Sequence, residues 1–341
     1  MQLERSEWQL SYTMPAFVGN ADQTQAEWRI PSFKGALRHW WRIVVGGQNP
    51  NLRVSELRER EAELFGYVLD GKAFKSQVIL AFRSETKTTE SEWPGGMGRV
   101  TTGMNNGRPI VSDAELYLGY GPIQKKKGQP TRPTLNLWIR PAAPATILMQ
   151  APVSSRSDLL MTFAAMNHFA AMGGRNRRSW GSIKLQAVTP HELMHAEELV
   201  SRCSISLDQA LSRDWVSGLV CDDEGHPLVW ETTDIRSTWQ DCVKDLGPTL
   251  RECNVKARAI EGKKEKDLLL TTGGIQSGGR WASPLRMKVA ATENGLKLRL
   301  IFLPCQVPQG SGLRELKKSQ CEEMIDFLDS QHGYRRLEKR G

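Results

Sequence analysis

The chain has 341 residues and a formal net charge of +8 at pH 7, from 46 Lys and Arg against 38 Asp and Glu. This length suffices for two modest domains with cores of their own, and the basic balance favours an anionic partner. The polar N-terminus carries no signal-peptide pattern and no apolar run approaches the length of a bilayer span, so we expect a cytoplasmic protein without a membrane partner.

The first 190 residues alternate between strand and helix patterns. Strands are predicted at 8–14, 74–83, 134–140 resuming at 145–150, and 180–188, and helices at 33–45, 56–65 and 157–172. Without the helix at 56–65 this order is β-α-β-β-α-β, which is typical of ferredoxin-like units. The stretch 84–133 is rich in Gly, Thr, Pro and Lys, and we interpret it as a long irregular insertion that is either functional or disordered.

The second half of the chain is predicted as another ferredoxin-like unit, degraded or decorated. Helices are expected at 206–217, 234–248 and 312–329, and strands at 284–291 and 295–303. The predicted fold class is therefore α+β, with domains at 1–190 and 191–341. All six cysteines lie in this half and none forms a Cys-x-x-Cys pair, so we expect reduced thiols, no metal site and no cofactor.

The predicted helix 33–45 has two chemically distinct sides. Pro31 precedes it, and Ser32 is its candidate N-cap. At 3.6 residues per turn, one apolar face contains Phe33, Leu37, Trp40, Trp41 and Val44. A separate basic stripe contains Lys34, Arg38 and Arg42. Gly35 leaves the first turn bare, so a phosphate can approach the helix N-terminus. The alternative interpretation of the stripe is an ordinary solvated face.

A glycine-rich basic turn follows the predicted helix 157–172, with the sequence Gly173-Gly-Arg-Asn-Arg-Arg-Ser-Trp-Gly181. Either Gly173 or Gly174 is expected to end that helix in a left-handed cap. The turn would present Arg175, Arg177 and Arg178 for bidentate phosphate contacts. Trp180 is interpreted either as a base-stacking residue or as part of the core. A third glycine cluster ends at Arg280 and is either a contact loop or a mobile one.

Taken together, these motifs resemble the RAMP superfamily of CRISPR proteins. The resemblance rests on five segments: Thr13-x-Pro-x-Phe-x-Gly19, Trp28 to Arg42, Glu61-Ala-Glu-Leu-Phe-Gly66, Gly173 to Ser182, and Arg280-Trp-Ala-Ser-Pro-Leu285. Within the superfamily the chain is similar to the first-numbered Cmr subunit of type III-B effectors. The resemblance implies ferredoxin-like units and a non-catalytic RNA-binding subunit that holds the crRNA 3′ region or the guide–target duplex beside other Cmr RAMP subunits, with no small-molecule substrate.

Basic charge next to glycine turns, together with the resemblance, indicates which residues contact crRNA and target RNA. The candidates are Arg29, Lys34, Gly35, Arg38, Arg42, Arg175, Arg177, Arg178, Trp180 and Arg280. We further expect Lys34 and Arg38 to share a groove with Arg175 and Arg178, and Trp28 is a second candidate for stacking on a base. Relatives carry RNA-contacting hairpins in the region of the insertion, where Lys125 to Arg132 is either such a contact or a flexible loop.

Two residues keep an enzymatic interpretation open. RAMP processing ribonucleases use a histidine on the first helix as a base toward a ribose 2′-hydroxyl, and His39 lies on that helix, on the side expected to face solvent or RNA. Target-cutting RAMP subunits place an aspartate in the loop after the first strand, where Asp22 lies. We expect neither residue to be catalytic. A third interpretation is an assembly scaffold without RNA contact, which the basic stripe disfavours.

Overall fold

The computed structural model describes residues 2–69, 71–83, 89–188, 192–262, 268–273, 275–276, 279–308 and 314–339. In its first part, the helices are α1 (Ile30–Gln48), α2 (Val54–Phe65), α3 (Ala114–Gly119) and α4 (Arg156–Phe169). The strands of this part are β1 (Leu3–Tyr12), β2 (Tyr67–Leu69), β3 (Lys72–Phe74), β4 (Ile79–Arg83), β5 (Thr89–Glu90), β6 (Arg99–Asn105), β7 (Arg108–Asp113), β8 (Ile123–Lys125), β9 (Thr131–Pro133), β10 (Trp138–Ile139), β11 (Ala145–Pro152) and β12 (Ile183–Ala187).

The second part contains the helices α5 (Ala196–Cys203), α6 (Leu207–Leu211), α7 (Trp239–Glu261) and α8 (Lys318–Asp329). Its strands are β13 (Ser204–Ser206), β14 (Leu219–Cys221), β15 (Val229–Thr232), β16 (Ile275–Gln276), β17 (Gly279–Arg280), β18 (Leu285–Thr292), β19 (Gly295–Phe302) and β20 (Tyr334–Arg336). Among the described residues, no helix is both long and apolar enough to cross a membrane.

Two four-stranded antiparallel sheets organise the chain. The first has the strand order β12-β1-β11-β4, and the second has the order β18-β19-β15-β20. In each sheet the first and third strands in chain order are central, and the second and fourth are at the edges. In chain order, one long helix lies between the first and second strands of each sheet, and another lies between the third and fourth. The two halves of the chain therefore repeat one topology.

Apolar periodicity explains how α1 packs in the first half. Its predicted apolar face is confirmed, because Phe33, Leu37, Trp40, Trp41 and Val44 are all buried. Across the layer from α1, the ring of Phe163 on α4 stacks on Trp8 of β1, with ring centroids 4.3 Å apart. Such aromatic pairs add to the large apolar area that these side chains bury.

Strand β18 joins the second sheet to the first half of the chain. Lys288 is fully buried there, and its ammonium group donates to the Ala170 carbonyl at 2.7 Å and to the Ile183 carbonyl. The Thr13 hydroxyl donates to the carbonyl of Val289 at 2.6 Å. Burial holds the pKa of the Lys288 ammonium well below its usual value. These contacts fix β18 against the segment that leads from α4 to β12 and against the residue that follows β1.

Some predictions about local structure are wrong. Helix α1 begins at Ile30 with Arg29 as its N-cap, so Ser32 already lies within the first turn. Pro31 explains the earlier start, because its fixed φ suits the first helical positions. Helix α4 ends at Phe169 with Ala170 extended, so neither Gly173 nor Gly174 caps it.

The insertion is not irregular either, since its described residues form the hairpins β6–β7 and β8–β9 and the helix α3. This structure is stabilised by long-range contacts, such as the one from the Asn254 amide of α7 to the Tyr117 hydroxyl at 2.8 Å.

Candidate nucleic-acid interface

The turn from Gly173 to Gly181 has an unusual backbone that is fixed by its neighbours. Four of its residues have positive φ: Gly173, Arg175, Ser179 and Gly181. The N–H of Gly174 donates to the Phe17 carbonyl at 2.9 Å, and the N–H of Gly181 donates to the Pro15 carbonyl at 2.8 Å. A Cβ at position 181 would collide with the carbonyl of Met172, so glycine is required there. The arginines of the turn are thereby presented from a defined loop.

The same turn is joined to strand β18 of the second sheet. The N–H of Met287 donates to the Arg177 carbonyl at 2.9 Å, and Arg178 forms an isolated bridge with Met287. This pairing brings Arg286, the neighbour of Met287, close to Arg177. Cations from the two halves of the chain therefore meet at one place.

A pocket of about 450 Å³ lies where α1, the turn and β18 meet. We call it the basic pocket, and its lining includes Ser32, Gly35, His39, Asn176, Arg177 and Arg286. Among the described residues, no acidic side chain contributes to this lining. The ideal Cβ position of Gly35 has no atom within 4 Å, so the helix surface is open at this point.

The charges at the basic pocket are poorly solvated. Burial lowers the pKa of the His39 imidazole well below its usual value, and the cations of Arg286, Arg42 and Arg177 lower it further. Burial first and then Arg177 likewise depress the pKa of the Arg286 guanidinium. Neither His39 Nε2 nor Arg286 Nε has a hydrogen-bond partner among the described residues. A buried guanidinium N–H without a partner, next to concentrated positive charge, is suited to an anion such as a phosphate.

Two arginines of the predicted basic stripe on α1 pair with an acidic residue of α2. Arg38 Nε lies 2.7 Å from one carboxylate oxygen of the buried Glu61, and Arg42 Nε lies 3.1 Å from the other. The Arg42 guanidinium also stacks 3.8 Å from the centroid of the Trp215 ring. Burial lowers the pKa of Arg42 to about 10.

The groove predicted between α1 and the turn is present but has a different lining. Helix α1 does share a pocket with the turn, but Gly35 and His39 line it rather than Lys34 and Arg38. Lys34 is half-buried, and burial followed by the nearby Arg38 charge lowers its pKa.

Several other candidates have intramolecular roles. Arg29 donates from Nη1 to the Gly19 carbonyl at 2.9 Å. In the turn, Arg175 Nε donates to the Tyr120 carbonyl at 2.5 Å, and Arg178 Nη2 donates to the Thr271 carbonyl at 3.0 Å. Arg280 lies on β17, and its side chain is outside the described part of the structure.

Of the two tryptophans proposed to stack on bases, Trp180 packs inside the protein and Trp28 is half-buried against the core. Trp180 is fully buried, and its ring lies 5.4 Å from Phe17, between centroids. Trp28 stacks on Tyr12 with 4.8 Å between ring centroids. The interpretation of Trp180 as a stacking surface is therefore wrong, and its core interpretation is correct.

The two residues considered for catalysis lie in different environments. Asp22 is exposed in a turn whose backbone is held by the Asn20 side chain, which accepts from the N–H of Thr24 at 2.9 Å. His39 was expected on the outer side of the helix, but its Nε2 is buried at the basic pocket. The described residues contain no group of three or more His, Cys, Asp or Glu side chains arranged to hold a metal ion.

Sequence reasoning missed Arg286. The only signal near it was the segment Arg280 to Leu285, which ends one residue before it. Arg286 reaches the basic pocket because β18 pairs with the turn, and no local sequence pattern predicts that pairing.

Comparison with known proteins gives a consistent result. The RAMP superfamily matches residues 13–184 of this chain. Cmr1 from Pyrococcus furiosus in its apo form is similar in structure, with a TM-score of 0.51, 15% identity and coverage of 98% of this chain and 99% of that one.

Two chains from type III-B Cmr-beta complexes bound to cognate target RNA are also similar, at 11% identity. One, from a complex with AMPPnP in the presence of ssDNA, has a TM-score of 0.51 and covers 96% of this chain and 98% of its own. The other has a TM-score of 0.50 and covers 96% and 99%. At these identities the likeness shows a common fold. No curated protein matches the sequence.

Proposed function

Because the chain belongs to the RAMP superfamily, we propose that it is a non-catalytic, RNA-binding subunit of a type III-B CRISPR effector. The observation that carries this proposal is the basic pocket, where Arg177 and Arg286 converge beside the open helix surface at Gly35. Its proposed ligands are crRNA and target RNA, and its proposed protein partners are the other Cmr RAMP subunits. Neither a cofactor nor a small-molecule substrate is part of the proposal.

We also infer that each half of the chain is a ferredoxin-like unit. The support is the shared strand order of the two sheets together with the β-α-β-β-α-β order of their elements. The basic pocket lies where these two units meet, since its lining combines α1 and the turn with Arg286 of β18.

The proposed binding mechanism is phosphate neutralisation rather than base reading. Guanidinium groups of Arg177 and Arg286 would hold a backbone phosphate, and Gly35 would allow the phosphate close to the first turns of α1. Ser32 lies at the same end of the helix and lines the pocket. Contacts of this kind position a strand without specifying its sequence, which suits a subunit that must accept many guides.

Reconstitution of the effector with cross-linkable crRNA would test this function. We propose that the chain holds the crRNA 3′ region, so ultraviolet cross-links should join it to nucleotides of that region within an assembled complex. An assembled complex in which the chain cross-links to neighbouring subunits but to no RNA would overturn the proposal in favour of a scaffold role.

The position of His39 favours a second candidate function, that of a metal-independent ribonuclease. A buried imidazole with a depressed pKa is neutral at pH 7, and its Nε2 has no partner among the described residues. Such a group could accept a proton from a ribose 2′-hydroxyl, while neighbouring arginines stabilised the developing charge. The cleavage experiment described in the Discussion separates this candidate from the binding function.

A further inference from the structure

A second cleft adjoins the basic pocket. It has a volume of about 350 Å³ and is bounded by turn residues 175–178 on one wall and by Thr272 and residues 281–283 on another. Asn176 and Arg177 line both the cleft and the basic pocket. A linear polymer bound in the basic pocket can therefore continue into the cleft past these two residues.

The walls of this cleft are held together within the protein. Arg178 Nη2 of the turn donates to the Thr271 carbonyl at 3.0 Å. The hydroxyl of Ser283 donates to the same carbonyl at 2.6 Å. Because the Thr271 carbonyl accepts from a residue of each wall, the cleft keeps its width without a ligand. Most ligand-binding pockets are pre-formed in this way.

Trp281 is the aromatic side chain of the cleft. It is half-buried, packing partly against the core while contributing to the lining. Indole rings next to guanidinium groups are the usual chemistry for holding an unpaired nucleobase, because every base offers a π-face and Arg adds a cationic contact. A cavity of this size is at the lower end for ligand sites and suits one base rather than a base pair.

We propose that this cleft holds the base of one unpaired nucleotide, adjacent to the phosphate in the basic pocket, with Trp281 as its stacking partner. Asn176 is exposed and supplies amide donors and acceptors at the entrance. Arg177 contacts the strand as it passes between the two cavities. This inference rests on the proposed function, because the strand entering the cleft is the RNA bound next to it.

The test uses single-stranded oligoribonucleotides that carry 2-aminopurine at successive positions. In the wild-type protein, one position should show a strong fluorescence change on binding. Trp281→Ala should abolish that change and weaken affinity by about ten-fold, the loss of one stacked base, whereas Trp281→Phe should retain most of both. The dependence of affinity on salt should be unchanged in Trp281→Ala, since no phosphate contact is removed.

The matched control is Phe74→Ala, which removes an exposed aromatic ring on β3 that lines neither cavity. It should bind RNA as the wild type does. To guard against misfolding of Trp281→Ala, 5-iodouridine cross-linking of the wild-type protein should identify a peptide containing Trp281.

Normal affinity and an unchanged fluorescence signal in Trp281→Ala, with cross-links elsewhere, would overturn the base cleft while leaving the RNA-binding function intact. A wild-type chain that binds no RNA would overturn both.

Discussion

His39 and Arg286 come from the two halves of the chain and line one pocket, where the Arg286 cation contributes to the lowered pKa of the imidazole. Each has a buried side-chain nitrogen without a hydrogen-bond partner among the described residues. An anion entering this pocket would accept a hydrogen bond from the Arg286 guanidinium and offset the positive charge that surrounds the neutral imidazole.

Gly35→Ala should separate fold stability from RNA binding. Alanine is favoured over glycine within a helix by about 0.5–1 kcal/mol, and nothing within 4 Å opposes a Cβ at this position. Thermal unfolding should therefore show an equal or more stable protein, while RNA affinity falls because a methyl group enters the basic pocket. Gly47→Ala in the same helix provides a contrast, since its Cβ would collide with the Cys203 carbonyl and destabilise the fold. An unchanged RNA affinity in Gly35→Ala would contradict close approach of the phosphate.

The ion pairs of Glu61 should matter for stability more than for binding. Glu61→Ala leaves the largely buried Arg42 without its carboxylate and should lower the free energy of unfolding, measured in urea, by ~3–5 kcal/mol.

Sequence alone predicts that Arg38→Ala weakens RNA binding by ~1–3 kcal/mol. Because Arg38 pairs with Glu61 at 2.7 Å, we instead expect RNA affinity within about two-fold of wild type, which is below 1 kcal/mol. A loss for Arg38→Ala as large as that for Arg286→Gln would show that the stripe contacts RNA after all.

Acidification should destabilise the folded chain before the carboxylates titrate. Burial lowers the pKa of His39 and takes the pKa of His168 to about 3. Below pH 6.5 the unfolded chain therefore binds protons that the folded chain does not. The free energy of unfolding should fall by up to ~1.4 kcal/mol per pH unit for each such histidine between pH 6.5 and 5.

Urea unfolding at pH 7, 6 and 5 measures this slope. His168→Gln should reduce it. A wild-type stability that stays constant over this range would be inconsistent with two histidines buried in their neutral form.

Catalysis is tested by His39→Ala and Asp22→Ala in the assembled effector. Target RNA cleavage should remain essentially intact in both, because a true general base or metal ligand would cost orders of magnitude in rate. His39→Ala should nevertheless alter RNA affinity, since the imidazole lines the basic pocket. Loss of cleavage with normal RNA binding in either variant would favour the ribonuclease interpretation.

Sequence periodicity predicted much of the secondary structure but little of the site. The buried face of α1 follows from its 3.6-residue repeat, and Gly35 and Arg177 were identified from glycine next to positive charge. The pairing of Arg38 with Glu61 depends on how α2 packs on α1, which no local pattern encodes. The role of Arg286 likewise depends on a backbone hydrogen bond between distant segments, from Met287 to Arg177.

The most direct test of phosphate binding at the basic pocket is the salt dependence of RNA affinity. Fluorescence anisotropy with a single-stranded oligoribonucleotide should show affinity falling steeply between about 50 and 200 mM salt, with little dependence on sequence. Arg286→Gln should reduce the slope of log K against log salt by about 0.7, the value for one phosphate contact on a single strand. Lys72→Ala, which removes an exposed charge outside the pocket, should leave the slope unchanged. An RNA affinity that does not change across this salt range would contradict phosphate binding at the basic pocket. An equal reduction of the slope in Arg286→Gln and Lys72→Ala would also contradict it.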